Sequence, residues 1–184
     1  MNSSDTTRRR MAFTAVGLAA VAGGIFVGRR FFASPDTPAP ASARGTAALF
    51  AATLPDSRGV ATPLARWQGQ PLVLNFWATW CAPCVAEMPD LQKLFEAYQA
   101  RGVGFVGIGI DKAEAIAEFA TRVGVTYPLL VGGYSGTDLA RDFGNANGSL
   151  PFTVVLNRNG GVAATQLGRI RAENLRSIID SVLA

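Results

Sequence analysis

The chain has 184 residues, 49% of them hydrophobic and 16% charged, which is room for one folded domain of about 140 residues plus a tail. Its net charge of +4 belongs to the tail: residues 1–44 hold six arginines against two aspartates, whereas residues 45–184 hold eleven charges of each sign. A neutral body gives no electrostatic footprint for nucleic acid. With no histidine and only two cysteines, His-ligated metal, haem, a Ser-His-Asp triad and a Cys-rich zinc site are excluded as well.

Residues 1–10 form a basic amino-terminal segment ending in Arg8-Arg9-Arg10. Residues 11–28 follow as an uncharged Ala-, Gly- and Val-rich stretch, closed by Arg29 and Arg30. With no polar face and arginines on both sides, this stretch does not suit a buried core helix. Two readings remain. One is an uncleaved transmembrane anchor, short for a span but extended by snorkelling arginines. The other is an export signal cleaved at Ala41-Ser42-Ala43, which leaves a soluble domain. The start Thr7-Arg8-Arg9-Arg10-Met11-Ala12-Phe13 is similar to a twin-arginine export signal. The excess of arginine before the apolar stretch keeps the amino terminus inside and puts the body outside the cytoplasm. Residues 29–48 are small and proline-punctuated and read as an unpacked tether. The domain is expected over residues 49–184.

Asp56-Ser57-Arg58-Gly59 is a turn signal between short apolar pieces, so residues 49–62 read as a hairpin, with a helical turn over 63–68. Residues 71–77 are apolar at nearly every position, as in a strand buried on both faces. A helix is predicted over residues 82–100, with Pro89 inside it as a kink. A glycine-thinned strand over 103–110 and a helix over 112–123 come next. Residues 127–131 read as an edge strand carrying Pro128. A short helix over 137–143 ends at Gly144. Residues 151–156 and 162–167 form a hairpin around Asn157-Arg158-Asn159-Gly160-Gly161, and an amphipathic helix over 171–183 closes the chain. This order implies an α/β fold, a mixed sheet with helices packed on its faces.

Cys81 and Cys84 are the whole thiol inventory. At helical i, i+3 spacing their Cα atoms lie about 5–6 Å apart, within disulfide reach. Pro83 between them suits a first helical turn, where its missing N–H costs nothing. Cys81 at the helix start faces free N–H groups, which stabilise a thiolate by about 0.3–2 kcal/mol and lower its pKa. Cys84, one turn in, is more covered. Cys81 is therefore the nucleophile that forms a mixed disulfide, and Cys84 resolves it. A purely structural role is disfavoured, because so small a loop gains little entropic stabilisation.

The segment Phe76-Trp77-Ala78-Thr79-Trp80-Cys81-Ala82-Pro83-Cys84, continued by Val85-Ala86-Glu87-Met88-Pro89, resembles the active-site segment of the TlpA/ResA-like extracytoplasmic thiol-disulfide oxidoreductases of the thioredoxin superfamily. The resemblance covers residues 49–184. It implies a thioredoxin-like fold preceded by an N-terminal hydrophobic helix. It also implies a protein-disulfide reductase, with the redox-active Cys81–Cys84 disulfide in place of any cofactor. Trp80, Ala82, Pro83, Leu150 and a cis Pro151 would then bind substrate, the Leu150 backbone pairing with an extended segment beside Cys81. Thioredoxins of the cytoplasm carry a buried aspartate where Asn75 stands, and Asn75 cannot take a proton. Glu87 is the first candidate to accept the proton of Cys84, with Asp111 and Glu114 as others. Implied partners are a disulfide-bearing extracytoplasmic protein such as an apocytochrome c maturation substrate, a membrane thiol donor of electrons, and membrane lipid around the N-terminal helix. A monomer on the periplasmic side of a bacterial cell membrane is expected. A disulfide-forming oxidant of the same fold, a peroxidase and a thiol metal-binding module are the competing functions. Against the first, no histidine separates the cysteines. Against the second, Thr79 is misplaced for a Thr-x-x-Cys. Against the third, Met88 is the one nearby soft ligand.

Overall fold

The computed structural model describes residues 41–184, so the hydrophobic stretch 11–28 and most of the expected tether lie outside the described residues. No helix among the described residues is long and apolar enough to cross a membrane.

After a first helix that was not expected, the elements follow the expected order. They are α1 (Ala41–Ala51), β1 (Thr53–Pro55), β2 (Ala61–Pro63), a 3-10 turn (Leu64–Trp67), β3 (Leu72–Trp77) and α2 (Ala82–Tyr98), then β4 (Gly104–Gly109), α3 (Ala113–Val123), β5 (Leu129–Val131), α4 (Gly133–Asp142), β6 (Phe152–Leu156), β7 (Val162–Leu167) and α5 (Ala172–Leu183). Five strands form one mixed sheet in the order β5-β4-β3-β6-β7. The strands β3, β4 and β5 run parallel, and β6 and β7 are antiparallel to their neighbours. β3 lies at the centre and is buried at every position, as its unbroken apolar run requires.

The alternation along β3 divides the core. Val73 and Trp77 face a cluster built with Met88, Leu91 and Leu94 of α2, Phe119 of α3, and Leu175 and Ile179 of α5. Leu72, Leu74 and Phe76 face the other side, where Leu49 of α1 and Leu139, Ala140 and Phe143 around α4 complete a second cluster. Helices thus cover both faces. The β1–β2 hairpin forms at the expected turn, where the Asp56 carboxylate accepts from the Arg58 and Val60 N–H groups at 2.8 and 2.9 Å.

Two expectations need correction. The tether does not run to residue 48: α1 starts at Ala41 and is packed, with Gly45 and Leu49 buried. Gly45 sits against the Phe143 ring, so close that a Cβ there would lie 2.6 Å from it. The Thr46 hydroxyl donates to the Gly160 carbonyl at 2.9 Å, and Arg44 pairs with Asp142 at 3.2 Å. Small residues that offer little to bury on their own let the helix approach closely, and Leu49 supplies the anchor. The helix expected over 137–143 begins earlier, at Gly133. Glycines at its start serve packing: a Cβ on the N-cap Gly132 would meet Ile108 at 2.5 Å, and one on Gly136 would meet Ile110 at 2.7 Å.

The sheet has two functional poles. The loops after β3, β4 and β5 leave from one pole, since Trp77 is level with Gly109 and Gly109 with Val131. The turn after β6 lies at the other, since Leu156 is level with Leu72 at the start of β3. Contacts of α1 with Gly160 and the cavity it shares with Gln68 and Asn159 place α1 at this second pole.

Candidate active site

The loop after β3 delivers Cys81 to the mouth of α2. Cys81 is the N-cap, with extended backbone (φ −89°, ψ 97°), and its Sγ accepts from the Cys84 N–H at 3.3 Å. That sulfur faces the free N–H groups of the first turn, where negative charge is stabilised. The two cysteines form a disulfide with S–S 2.02 Å and Cα–Cα 5.2 Å. Cys81 retains 6% exposure and Cys84 none, so an incoming group can reach only the first sulfur. Ala82 and Pro83 are exposed between them.

The two tryptophans of the motif do different things. Trp80 is 69% exposed beside Cys81, whereas Trp77 is fully buried and its ring lies 4.8 Å from that of Phe119. Leu150 packs against the cluster that holds both cysteines. The Leu150–Pro151 peptide bond is cis, as the resemblance implied. The Pro151 carbonyl accepts from the Gly168 N–H at 2.8 Å, fixing this loop to the end of β7.

Glu87 lies one turn beyond Cys84 on the same face of α2 and is buried, with 1% exposure. Its Oε1 accepts from Asn75 Nδ2 at 2.8 Å, and its Oε2 accepts from the Ile170 N–H at 3.0 Å. Asn75 Nδ2 also donates to the Thr153 hydroxyl at 3.1 Å, while Asn75 Oδ1 is buried without a partner. Burial pushes the Glu87 carboxyl up from its ordinary range, and this outweighs the Ile170 N–H, the Asn75 amide and the charge of Arg169, which pull it down. A carboxyl so placed holds its proton to a higher pH than an exposed glutamate does. The phenol of Tyr127, also pushed up by burial and by the charge of Glu87, donates to Met88 Sδ at 3.1 Å.

The other acids stand elsewhere. Asp111, at the end of β4, accepts from the Thr79 N–H at 3.1 Å, from the Thr79 hydroxyl, and from the Lys112 N–H at 2.8 Å. Burial raises its pKa, but these hydrogen bonds and the charge of Lys112 together hold it below the usual value. Asp111 is thus a brace for the loop that carries Cys81 and a poor proton acceptor. Glu114 is exposed on the first turn of α3. Sequence reasoning missed Thr79, Thr153 and the Ile170 N–H, because each acts only through a partner distant in the chain. The signal available for Thr153 was its alternation with Phe152 and Val154 in a strand read as buried.

No group of three or more His, Cys, Asp or Glu side chains that could hold a metal ion occurs among the described residues. The pair can do dithiol–disulfide exchange with its own two sulfurs, and nothing in that chemistry calls for a bound cofactor.

Residues 35–183 match the Redoxin family. The thiol-disulfide oxidoreductase ResA of Geobacillus thermodenitrificans is 31% identical over 132 residues, which is 70% of this chain and 72% of that one. ResA of Geobacillus kaustophilus is 30% identical over 130 residues, with the same coverage of 70% and 72%. A secreted thiol-disulfide isomerase from Corynebacterium glutamicum superposes with a TM-score of 0.66 at 27% identity, over 72% of this chain and 83% of that one. A thioredoxin-family thiol:disulfide interchange protein from Chlorobium tepidum gives 0.63 at 25% identity, over 72% and 93%. With its sheet order, cysteine geometry and relatives in agreement, the chain belongs to the Redoxin family, as a TlpA/ResA-like thiol-disulfide oxidoreductase of the thioredoxin superfamily.

Proposed function

We propose that this enzyme is a reductase of disulfides in proteins outside the cytoplasm, apocytochrome c maturation substrates being one class, held at a bacterial membrane through residues 11–28. The observation that carries the mechanism is the unequal depth of the two sulfurs, 6% against 0% exposed. In the reduced enzyme, the Cys81 thiolate at the α2 N-terminus attacks one sulfur of the substrate disulfide. The substrate's second sulfur leaves as a thiolate and takes a proton. Cys84 then loses its proton to Glu87 and attacks Cys81 Sγ, releasing the first substrate sulfur as a thiol. One substrate disulfide becomes two thiols, and the Cys81–Cys84 dithiol becomes the disulfide present in this structure. A membrane thiol donor returns the two electrons. Trp80, Ala82 and Pro83 form the exposed collar around Cys81, and Leu150 and cis-Pro151 offer backbone to an extended substrate segment.

One feature supports the direction of exchange. The dipeptide Ala82-Pro83 brings no cation to the cysteines, and the chain has no histidine to do so, which favours reduction over disulfide formation. The deciding experiment is the reduction potential of the Cys81–Cys84 pair. A value below about −220 mV supports a reductase, and one near about −120 mV sinks it.

A further inference from the structure

Four large hydrophobic side chains are exposed among the described residues: Val60, Trp80, Tyr134 and Leu167. Tyr134 is the most exposed, at 94%. It sits in the first turn of α4, just past the end of β5, hence on the same pole as Cys81. Beside it is a groove of about 310 Å³, lined by Ile110, Asp111, Lys112, Gly133, Tyr134 and Thr137. That volume is at the small end of the range for ligand pockets, about 300–1,000 Å³, and suits one side chain better than a cofactor.

The groove and the cysteine loop share a residue. Asp111 lines the groove and also holds both the N–H and the hydroxyl of Thr79, two residues before Cys81. One carboxylate thus belongs both to the groove and to the support of the Cys81 loop. The carboxylate of Asp111 is already matched by the Thr79 and Lys112 donors, so it gives the groove no demand for a cation. Lys112 is exposed and makes no salt bridge among the described residues, which leaves a cation at the rim. An exposed aromatic ring, an apolar wall at Ile110 and an exposed lysine at the rim together select an apolar or aromatic side chain with an acidic neighbour.

We propose that this groove is a side-chain subsite for the polypeptide substrate. It takes an apolar or aromatic residue that lies a few positions from the half-cystine that Cys81 attacks. Lys112 meets a carboxylate beside that residue. The subsite rests on the reductase reading and specifies its substrate as an extended, unfolded segment rather than a small disulfide.

The test measures kcat and KM of the reduced full-length enzyme with three disulfides: hydroxyethyl disulfide, a disulfide-linked peptide carrying Phe-Asp near its cysteine, and the same peptide with Gly-Gly there. The wild type should favour the Phe-Asp peptide over the Gly-Gly peptide through KM. Tyr134→Ala should raise KM for the Phe-Asp peptide about tenfold, the loss of one well-packed contact, and leave hydroxyethyl disulfide unchanged. Tyr134→Phe should restore the wild-type KM. Tyr134 is almost wholly exposed, so its replacement leaves the core intact. Equal rates on the two peptides, or an equal loss on all three substrates in Tyr134→Ala, overturns the subsite. Failure of the wild type to reduce any of the three overturns the reductase reading instead.

Discussion

Replacing Glu87 with glutamine gives a stability change whose sign and pH window follow from the site. In the unfolded chain Glu87 ionises near its ordinary value of 4.5. In the fold, burial keeps the carboxyl neutral to a higher pH, against the pull of the Ile170 N–H, the Asn75 amide and the Arg169 charge. A carboxyl raised in this way contributes stability that is fully present below 4.5 and is lost as pH rises through its folded value. Between those limits one proton separates the two states, so stability falls by about 1.4 kcal/mol for each pH unit. Glutamine does not titrate there and removes the slope. It can also rebuild the contacts: its oxygen accepts from Ile170, and its amide donates to Asn75 Oδ1, which has no partner now, once the Asn75 amide turns over. Urea unfolding of the oxidised protein from about pH 4 to about pH 8 gives the difference between wild type and Glu87→Gln, with no thiol titrating. Asp56, Asp111 and Glu173, all held low by hydrogen bonds and nearby charge, act on the acid side of this window and cancel in the difference. The variant should gain on the wild type as pH rises through the window. A difference that stays flat, or runs the other way, refutes the buried, raised carboxyl.

Other expectations concern the pair, its loop and the domain start. Cys84→Ala should trap a mixed disulfide between Cys81 and its natural partner, visible on a non-reducing gel; absence of any adduct through Cys81 would count against the exchange order. Asp111→Asn should cost about 1 kcal/mol, since the Thr79 donors keep an oxygen but lose its charge at a half-exposed position, and should loosen Trp80, read by its fluorescence. Gly45→Ala brings a Cβ to 2.6 Å from the Phe143 ring and should destabilise the domain by about 1–3 kcal/mol in thermal unfolding, despite alanine's higher helix propensity. A neutral result would show that α1 is not packed as described.

The sequence was most legible where a pattern is local. The unbroken apolar run of β3, the i, i+3 cysteines and the Asn157 turn could each be read from neighbouring residues, and Asn157 Oδ1 does accept from the Asn159 and Gly161 N–H groups at 3.0 and 2.9 Å. Glycine-containing helices were harder. Gly45, Gly132 and Gly136 lower helix propensity, and only the ring of Phe143 and the side chains of Ile108 and Ile110 explain why they are there. The motif ranked Glu87 first among the acids, but the physical reason for sorting them was hidden. Glu87 and Asp111 are similar in sequence terms, yet one is buried against an amide and one N–H, and the other is half-exposed under three donors. Apart from Lys112, which is next to Asp111, their partners lie 12 to 83 residues away.

Asn75 carries the consequence furthest. An aspartate at its place would put two carboxyls in one buried hydrogen bond with Glu87 at 2.8 Å, and both could not ionise together. The amide avoids that conflict. It donates Nδ2 to Glu87 in this structure, an orientation that suits an ionised carboxylate, and can turn its unpartnered Oδ1 toward a protonated one. Thr153 follows either orientation, because a hydroxyl both donates and accepts. The site therefore accommodates both protonation states of Glu87, which is what the proposed transfer of the Cys84 proton to it requires. On that proposal Asn75 and Glu87 are one arrangement: the acid stands on the helix, and the strand position is its adaptable hydrogen-bond partner.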